Sequence, residues 1–140
     1  MIETRFRSSS GKHCFVPRYD TTGATNDMDM VKLRDLQDYE SLPLTPWNIK
    51  QPEAHDDSRP EALAATDQGL DLLLVPGLAF TEDGRRLGRG KGFYDKYLER
   101  SEKVGKRAKV TIGLAFAETV LEDIPTDEHD FKLDKVLFCQ

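Results

Sequence analysis

The chemically suggestive part of this chain is a cluster of cations, Arg85, Arg86, Arg89 and Lys91, interleaved with Gly88, Gly90 and Gly92. Glycines free the backbone to adopt positive φ and let an anion approach the amides closely. The aromatic and apolar residues that follow, Phe93 with Tyr97 and Tyr94 with Leu98, fall at helical spacing, so the loop feeds a helix start. Unpaired amides and the dipole at that end favour anions. The combination suits a phosphate cradle. A Walker loop is excluded, because Arg85 and Gly92 stand where Gly and Ser or Thr are needed. The dinucleotide fingerprint fails as well, since its third glycine comes one residue early, at Gly92. The bland alternative is a solvated turn whose arginines keep it soluble. A nucleic-acid role is weaker, because one short basic loop offers few phosphate contacts.

The loop needs elements to hold it. Leu70–Val75, ended by Pro76-Gly77, reads as the strongest strand, and its near-continuous apolar character predicts cover on both faces. Val110–Phe116 and Lys135–Phe138 are further strand candidates. Upstream, His13–Val16 is a short apolar run stopped by Pro17, and Asp27–Leu33 alternates as a half-buried strand does. A Thr-, Gly- and Asn-rich turn lies between them at 20–26. Residues 41–65, with Pro43, Pro46, Pro52 and Pro60, read as a long irregular segment. Residues 1–10 read as a loop or frayed end. Strands alternating with a helix predict an α/β domain around a mainly parallel sheet, with no internal repeat.

The chain has 140 residues, a length that suits a single domain over 1–140. Twenty Lys and Arg against 25 Asp and Glu give a net charge of -5, which argues against a global grip on nucleic acid or an anionic membrane. Any polyanion site must be local. The two cysteines, Cys14 and Cys139, form no C-x-x-C pair, so neither a zinc site nor a disulfide framework is suggested. No apolar run approaches the length of a membrane span, and Met1–Phe6 lacks a signal-peptide core. A soluble, cytoplasmic, monomeric protein with reduced thiols is expected.

Leu74-Val75-Pro76-Gly77-Leu78-Ala79-Phe80, followed by Gly84-x-Arg86-Leu87-Gly88-Arg89-Gly90-Lys91-Gly92-Phe93-Tyr94-Asp95, closely resembles the 5-formyltetrahydrofolate cyclo-ligase family. Cys14–Tyr19, Met28–Val31, Trp47-Asn48-Ile49, and Asp130 with Asp134–Leu137 agree in order and spacing, so the resemblance runs from about Gly11 to the end. It implies a three-layer, Rossmann-like fold. It also implies ATP- and Mg2+-dependent conversion of 5-formyltetrahydrofolate, or its polyglutamates, to 5,10-methenyltetrahydrofolate, with ADP and phosphate released. In the family mechanism the formyl oxygen takes the γ-phosphoryl group of ATP, a folate nitrogen closes the ring, and phosphate leaves. Phosphoryl transfer asks a protein mainly for positioning and charge stabilisation.

The resemblance implies that Arg86, Leu87, Gly88, Arg89, Gly90, Lys91, Gly92, Phe93 and Tyr94 hold ATP, with Arg89 and Lys91 offsetting charge in the transition state. Met28, Trp47 and Arg89–Phe93 would meet folate, and Asp95 and Asp130 match the family's magnesium ligands. Each has an ordinary reading beside it. Asp95 could simply favour a helix start, Asp130 could be a solvated turn, Trp47 and Met28 could be core packing. Phe93 replaces the family's usual tyrosine and so lacks its hydroxyl. The family also begins with a lysine- and arginine-bearing helix, a strand and a folate-binding glutamate, none of which precedes Gly11; Met1 stands where that glutamate belongs. A sheet missing its N-terminal helix and strand should expose an edge and part of its core. Binding of nucleotide or folate without turnover is the alternative reading.

Overall fold

The computed structural model describes residues 11–64 and 68–139. It divides into two compact units, Met1–Gln68 and Gly69–Gln140. The N-terminal residues 1–10, expected to be frayed, lie outside the described residues.

In the first unit, β1 (Phe15–Tyr19) pairs antiparallel with β2 (Met28–Lys32), from Phe15 opposite Lys32 to Tyr19 opposite Met28. Pro17 does not stop β1 as expected; the strand runs through it, opposite Met30. A proline lacks only the donor, and a strand with one partner tolerates that loss on its open side. The connecting turn is organised by Asp20, whose carboxylate accepts from the amides of Thr22 (2.9 Å) and Thr25 (2.8 Å) and from both hydroxyls. Those bonds hold the Asp20 carboxyl at about 2. Val16, Val31, Leu33 and Leu42 form the core of this unit, with Cys14 and Tyr39 packed against it.

A short helix, α1 (Leu36–Ser41), follows β2. Asp35 caps it by accepting from the Asp38 amide at 2.7 Å. The irregular stretch beyond is held in place rather than loose. Pro60 accepts from the Lys32 amide, and Ala62 donates to Met30, so residues 60–62 run beside β2. Arg59 fixes this return by pairing with both Asp38 and Asp56.

In the second unit, β3 (Leu72–Leu74), β6 (Val110–Phe116) and β7 (Lys135–Cys139) form a parallel sheet in the order β3-β6-β7. The α/β class with a parallel sheet is therefore as expected, although β3 is shorter than 70–75. Thr111 ties β6 to the start of β7, donating from its amide to Asp134 and accepting the Asp134 amide in return. Cover on both faces of β3 does not extend across the sheet. On one face Leu73 and Thr111 are buried and Gly113 leaves room for the Phe80 ring, which stands 2.5 Å from where a Cβ would be. On the other face Leu114 (44 % exposed) lies beside Leu137, and Phe116 is 79 % exposed.

The hairpin β4 (Ala79–Phe80) and β5 (Arg86–Leu87) and the helix α2 (Phe93–Lys103) complete the unit. Tyr97, Leu98 and Ser101 are the buried stripe of α2.

Candidate functional site

The cationic loop is held from both sides by short-range geometry. On the entering side, the Thr81 amide donates to Arg85 O (2.9 Å) and the Gly84 amide to Thr81 O (3.0 Å), closing the β4–β5 turn. Gly84 has φ +100°, and a Cβ there would lie 2.1 Å from Leu133 O; only glycine fits. Leu133 donates to Gly84 O at 2.8 Å, so the turn is docked on the approach to β7. Thr81, Arg85 and Lys132 surround Asp83 and push its carboxyl well below the ordinary range, the Thr81 hydroxyl most strongly. Arg85 also pairs with Asp123. This cation of the cluster is spent on the hairpin.

Arg86 points the other way. Its side chain is 7 % exposed, with Nη1 donating to Pro76 O at 3.0 Å and Nη2 to Asp95 Oδ2 at 3.1 Å. The guanidinium carbon sits 5.9 Å from the Tyr94 ring centre. Two glycines make room for it. A Cβ on Gly77 would come 2.9 Å from Arg86 Cγ, and one on Gly88 would come 2.8 Å from Nη1. Leu87, between them, accepts the Leu78 amide at 2.7 Å.

Beyond Gly88 the chain surfaces. Arg89, Gly90 and Lys91 are exposed, while Gly92, Phe93 and Tyr94 are half-buried. Gly90 has φ +82° with open space around a notional Cβ, so it is needed there for conformation, not clearance. Gly92 then starts α2 in the left-handed region, at φ 72°, ψ 15°, with no side-chain cap. A cap side chain would occupy the very amides that could bind an anion. Its carbonyl accepts the Lys96 amide at 3.0 Å and begins the helical ladder. Arg89 and Lys91 thus stand on the outer side of a loop whose inner side is pinned by Arg86.

Asp95, in the first turn of α2, joins Arg86 to a third segment: its Oδ1 accepts the Phe131 amide at 3.5 Å. Asp130 immediately precedes that amide and accepts from Asp127 N at 2.8 Å through Oδ2. No group of three or more His, Cys, Asp or Glu side chains able to hold a metal occurs among the described residues. The donor set nonetheless fits magnesium. That ion is commonly held by one or two carboxylates, with phosphates and waters filling its octahedron.

The other candidates belong to the first unit. Met28, at 2 % exposure, is buried on β2. Tyr19 opposes it, and the Tyr19 ring meets Trp47 edge-on, with centroids 6.1 Å apart and planes at 78°. Trp47 itself is 41 % exposed. Gln51 clamps this corner, accepting the Tyr19 amide and donating to its carbonyl, both at 3.0 Å. Sequence reasoning overlooked Tyr19 as the partner of Trp47 and Gln51 as the clamp on Tyr19. Tyr19 lies beyond Pro17, where the sequence reading ends the strand, so no local signal marked it; its place opposite Met28 comes from the β1–β2 register.

A profile of the 5-formyltetrahydrofolate cyclo-ligase family matches residues 4–139. The mouse 5-formyltetrahydrofolate cyclo-ligase is 49% identical over 128 residues, covering 91% of this chain and 61% of its own length. A probable 5-formyltetrahydrofolate cyclo-ligase of Caenorhabditis elegans is 37% identical over 135 residues, covering 91% and 60%. The chain therefore spans about three fifths of the length of these relatives. Among solved structures, Aquifex aeolicus 5,10-methenyltetrahydrofolate synthetase superposes with a TM-score of 0.63 at 24% identity, over 91% of this chain and 55% of that one, a likeness of fold. With the family profile spanning nearly every residue and the relatives agreeing, the chain belongs to the 5-formyltetrahydrofolate cyclo-ligase family.

Proposed function

We propose that this chain binds ATP at the 86–94 loop and uses it to cyclise 5-formyltetrahydrofolate to 5,10-methenyltetrahydrofolate, releasing ADP and phosphate. The observation that carries the reading is the exposed Arg89-Gly90-Lys91 segment at the uncapped start of α2. It offers two exposed cations and a helix terminus to the same anion.

The formyl group is amide-like, so its oxygen is a weak nucleophile and a poor leaving group until phosphorylated. The chain's part is to bring that oxygen to the γ-phosphate and to offset the charge that spreads over the transferring group. Arg89 and Lys91 are proposed for that charge, with the amides of Gly88–Gly92 cradling the phosphates. Asp95 and Asp130 would hold Mg2+, which would neutralise phosphate oxygens and fix their orientation. Met28 and Trp47 are proposed for the folate, Trp47 offering an aromatic face and Met28 an adaptable apolar wall.

Incubation with 5-formyltetrahydrofolate, ATP and Mg2+ tests this directly. Near-ultraviolet absorbance of the methenyl product should rise with stoichiometric ADP. No rise, beside an active longer relative, removes turnover from this chain. Stabilisation by ATP or folate without ADP release would then leave the binding-only reading. That alternative is kept because the chain spans only 61% of the mouse enzyme.

A further inference from the structure

We infer that Arg86 is a positioning residue for the loop, acting through Asp95 instead of touching phosphate itself; the inference rests on the nucleotide-binding reading above. Of the cations in the loop, Arg86 is the buried one, at 7 % side-chain exposure. Its fork is already committed, one nitrogen to the Pro76 carbonyl and another to Asp95. A guanidinium donates in a fixed plane, so these two acceptors set its orientation. Gly88 passes so close that a methyl group there would stand 2.8 Å from Nη1. The guanidinium therefore forms the floor beneath the point where the loop turns outward, and Arg89 and Lys91 lie on the far side, exposed.

The consequence reaches the proposed metal site. Asp95 Oδ2 receives Arg86 and Oδ1 receives the Phe131 amide, which fixes the carboxylate between the loop, α2 and the segment that carries Asp130. A carboxylate has about four acceptor sites, so both oxygens keep capacity for a cation. Pairing with Arg86 fixes the direction in which they face and offsets the carboxylate's charge. Arginine suits this task because its rigid planar fork holds two acceptors in fixed directions, which the rotatable ammonium of a lysine on its flexible stem would not fix.

A double-mutant cycle in the full chain tests the inference. Arg86→Met keeps the aliphatic stem, Asp95→Ala removes its partner, and each is combined with the other. Dissociation constants for ATP with Mg2+ are measured alongside ligand-free melting temperatures. If Arg86 acts through Asp95, each single variant weakens binding, and the double variant binds no worse than the weaker single. The melting losses likewise fall short of additive, by about 3 °C or more. Arg86→Lys should recover part of the melting loss. Losses of affinity that multiply in the double variant would overturn the inference, because they would place Arg86 on the nucleotide independently of Asp95. Additive melting losses would overturn it too. Should the unaltered chain fail to bind ATP, the proposed function falls, and the melting cycle alone decides whether Arg86 holds Asp95. If Arg86→Met does not fold, the same comparison is made with Arg86→Lys.

Discussion

Arg59 places its two terminal nitrogens 2.7 Å from the two carboxylate oxygens of Asp38, with both side chains less than a tenth exposed. The bond from Arg59 holds the Asp38 carboxyl at about 2. The same guanidinium reaches Asp56 at 2.8 Å, so one residue joins α1 to the proline-rich segment. That joint fixes the path of the segment that carries Trp47.

Removing the guanidinium should leave the Asp38 side chain buried without its ion-pair partner, with, among the described residues, only the Arg34 amide still donating to it. Arg59→Met is predicted to destabilise the protein by about 3–5 kcal/mol in denaturant melts at pH 7. A loss under 1 kcal/mol would show that the pair is solvated. The acid dependence has a defined sign. A carboxyl depressed in the folded state stabilises above its unfolded value, near 3.9, and that contribution is lost as pH falls towards 2. The unaltered chain should therefore lose stability between about pH 4 and pH 2, and Arg59→Met should lose less over that interval.

Gly88 and Gly90 are glycines for different reasons, and substitutions should separate them. Gly88→Val forces a side chain onto Arg86 and is predicted to cost about 1–3 kcal/mol, read from melting curves. Gly90→Ala meets no atom and should cost only the left-handed backbone, about 1–2 kcal/mol. Gly90→Asn should recover part of that cost, which Gly88→Asn should not. Equal recovery at both positions would mean that clearance over Arg86 does not constrain the loop.

Asp95→Asn is expected to raise the Mg2+ concentration that gives half-maximal ATP binding, by about tenfold, while leaving magnesium-free binding within about twofold. A tenfold change corresponds to about 1.4 kcal/mol, an ordinary worth for one charged ligand among several. An unchanged magnesium curve would take Asp95 out of the metal site.

Trp47 is the chain's one tryptophan and is partly exposed, so its emission reports on its own surroundings. Stacking of a pterin ring on it should quench that emission saturably on titration with 5-formyltetrahydrofolate. Trp47→Phe should bind folate with at most a few-fold loss, and Trp47→Ala with a larger one. Emission that stays constant at saturating folate would assign Trp47 to packing.

The elements that were legible in the amino-acid sequence are those with a clear period. Val110–Phe116 and Phe93–Lys103 carry enough apolar residues at strand or helical spacing to be recognised alone. The helix at Leu36–Ser41 was not, because a single short turn capped by Asp35 has almost no apolar face, and none of its apolar residues is buried. The cationic loop was legible as chemistry, yet its internal division of labour was not. Arg86 looks like its neighbours in sequence, and its burial depends on Pro76 and Asp95, which only the hairpin and helix bring together. Likewise Pro17 looked like a strand end, since nothing local says that one side of β1 needs no donor.

The most direct measurement is equilibrium binding of ATP with Mg2+ to the unaltered chain, Arg89→Ala and Lys91→Ala, with melting temperatures recorded on the same samples. Both side chains are exposed, so removing either should weaken binding at least about tenfold and shift melting by no more than about 2 °C. Unchanged affinity in both variants, or losses of stability that match the losses of affinity, would contradict a triphosphate site at this loop.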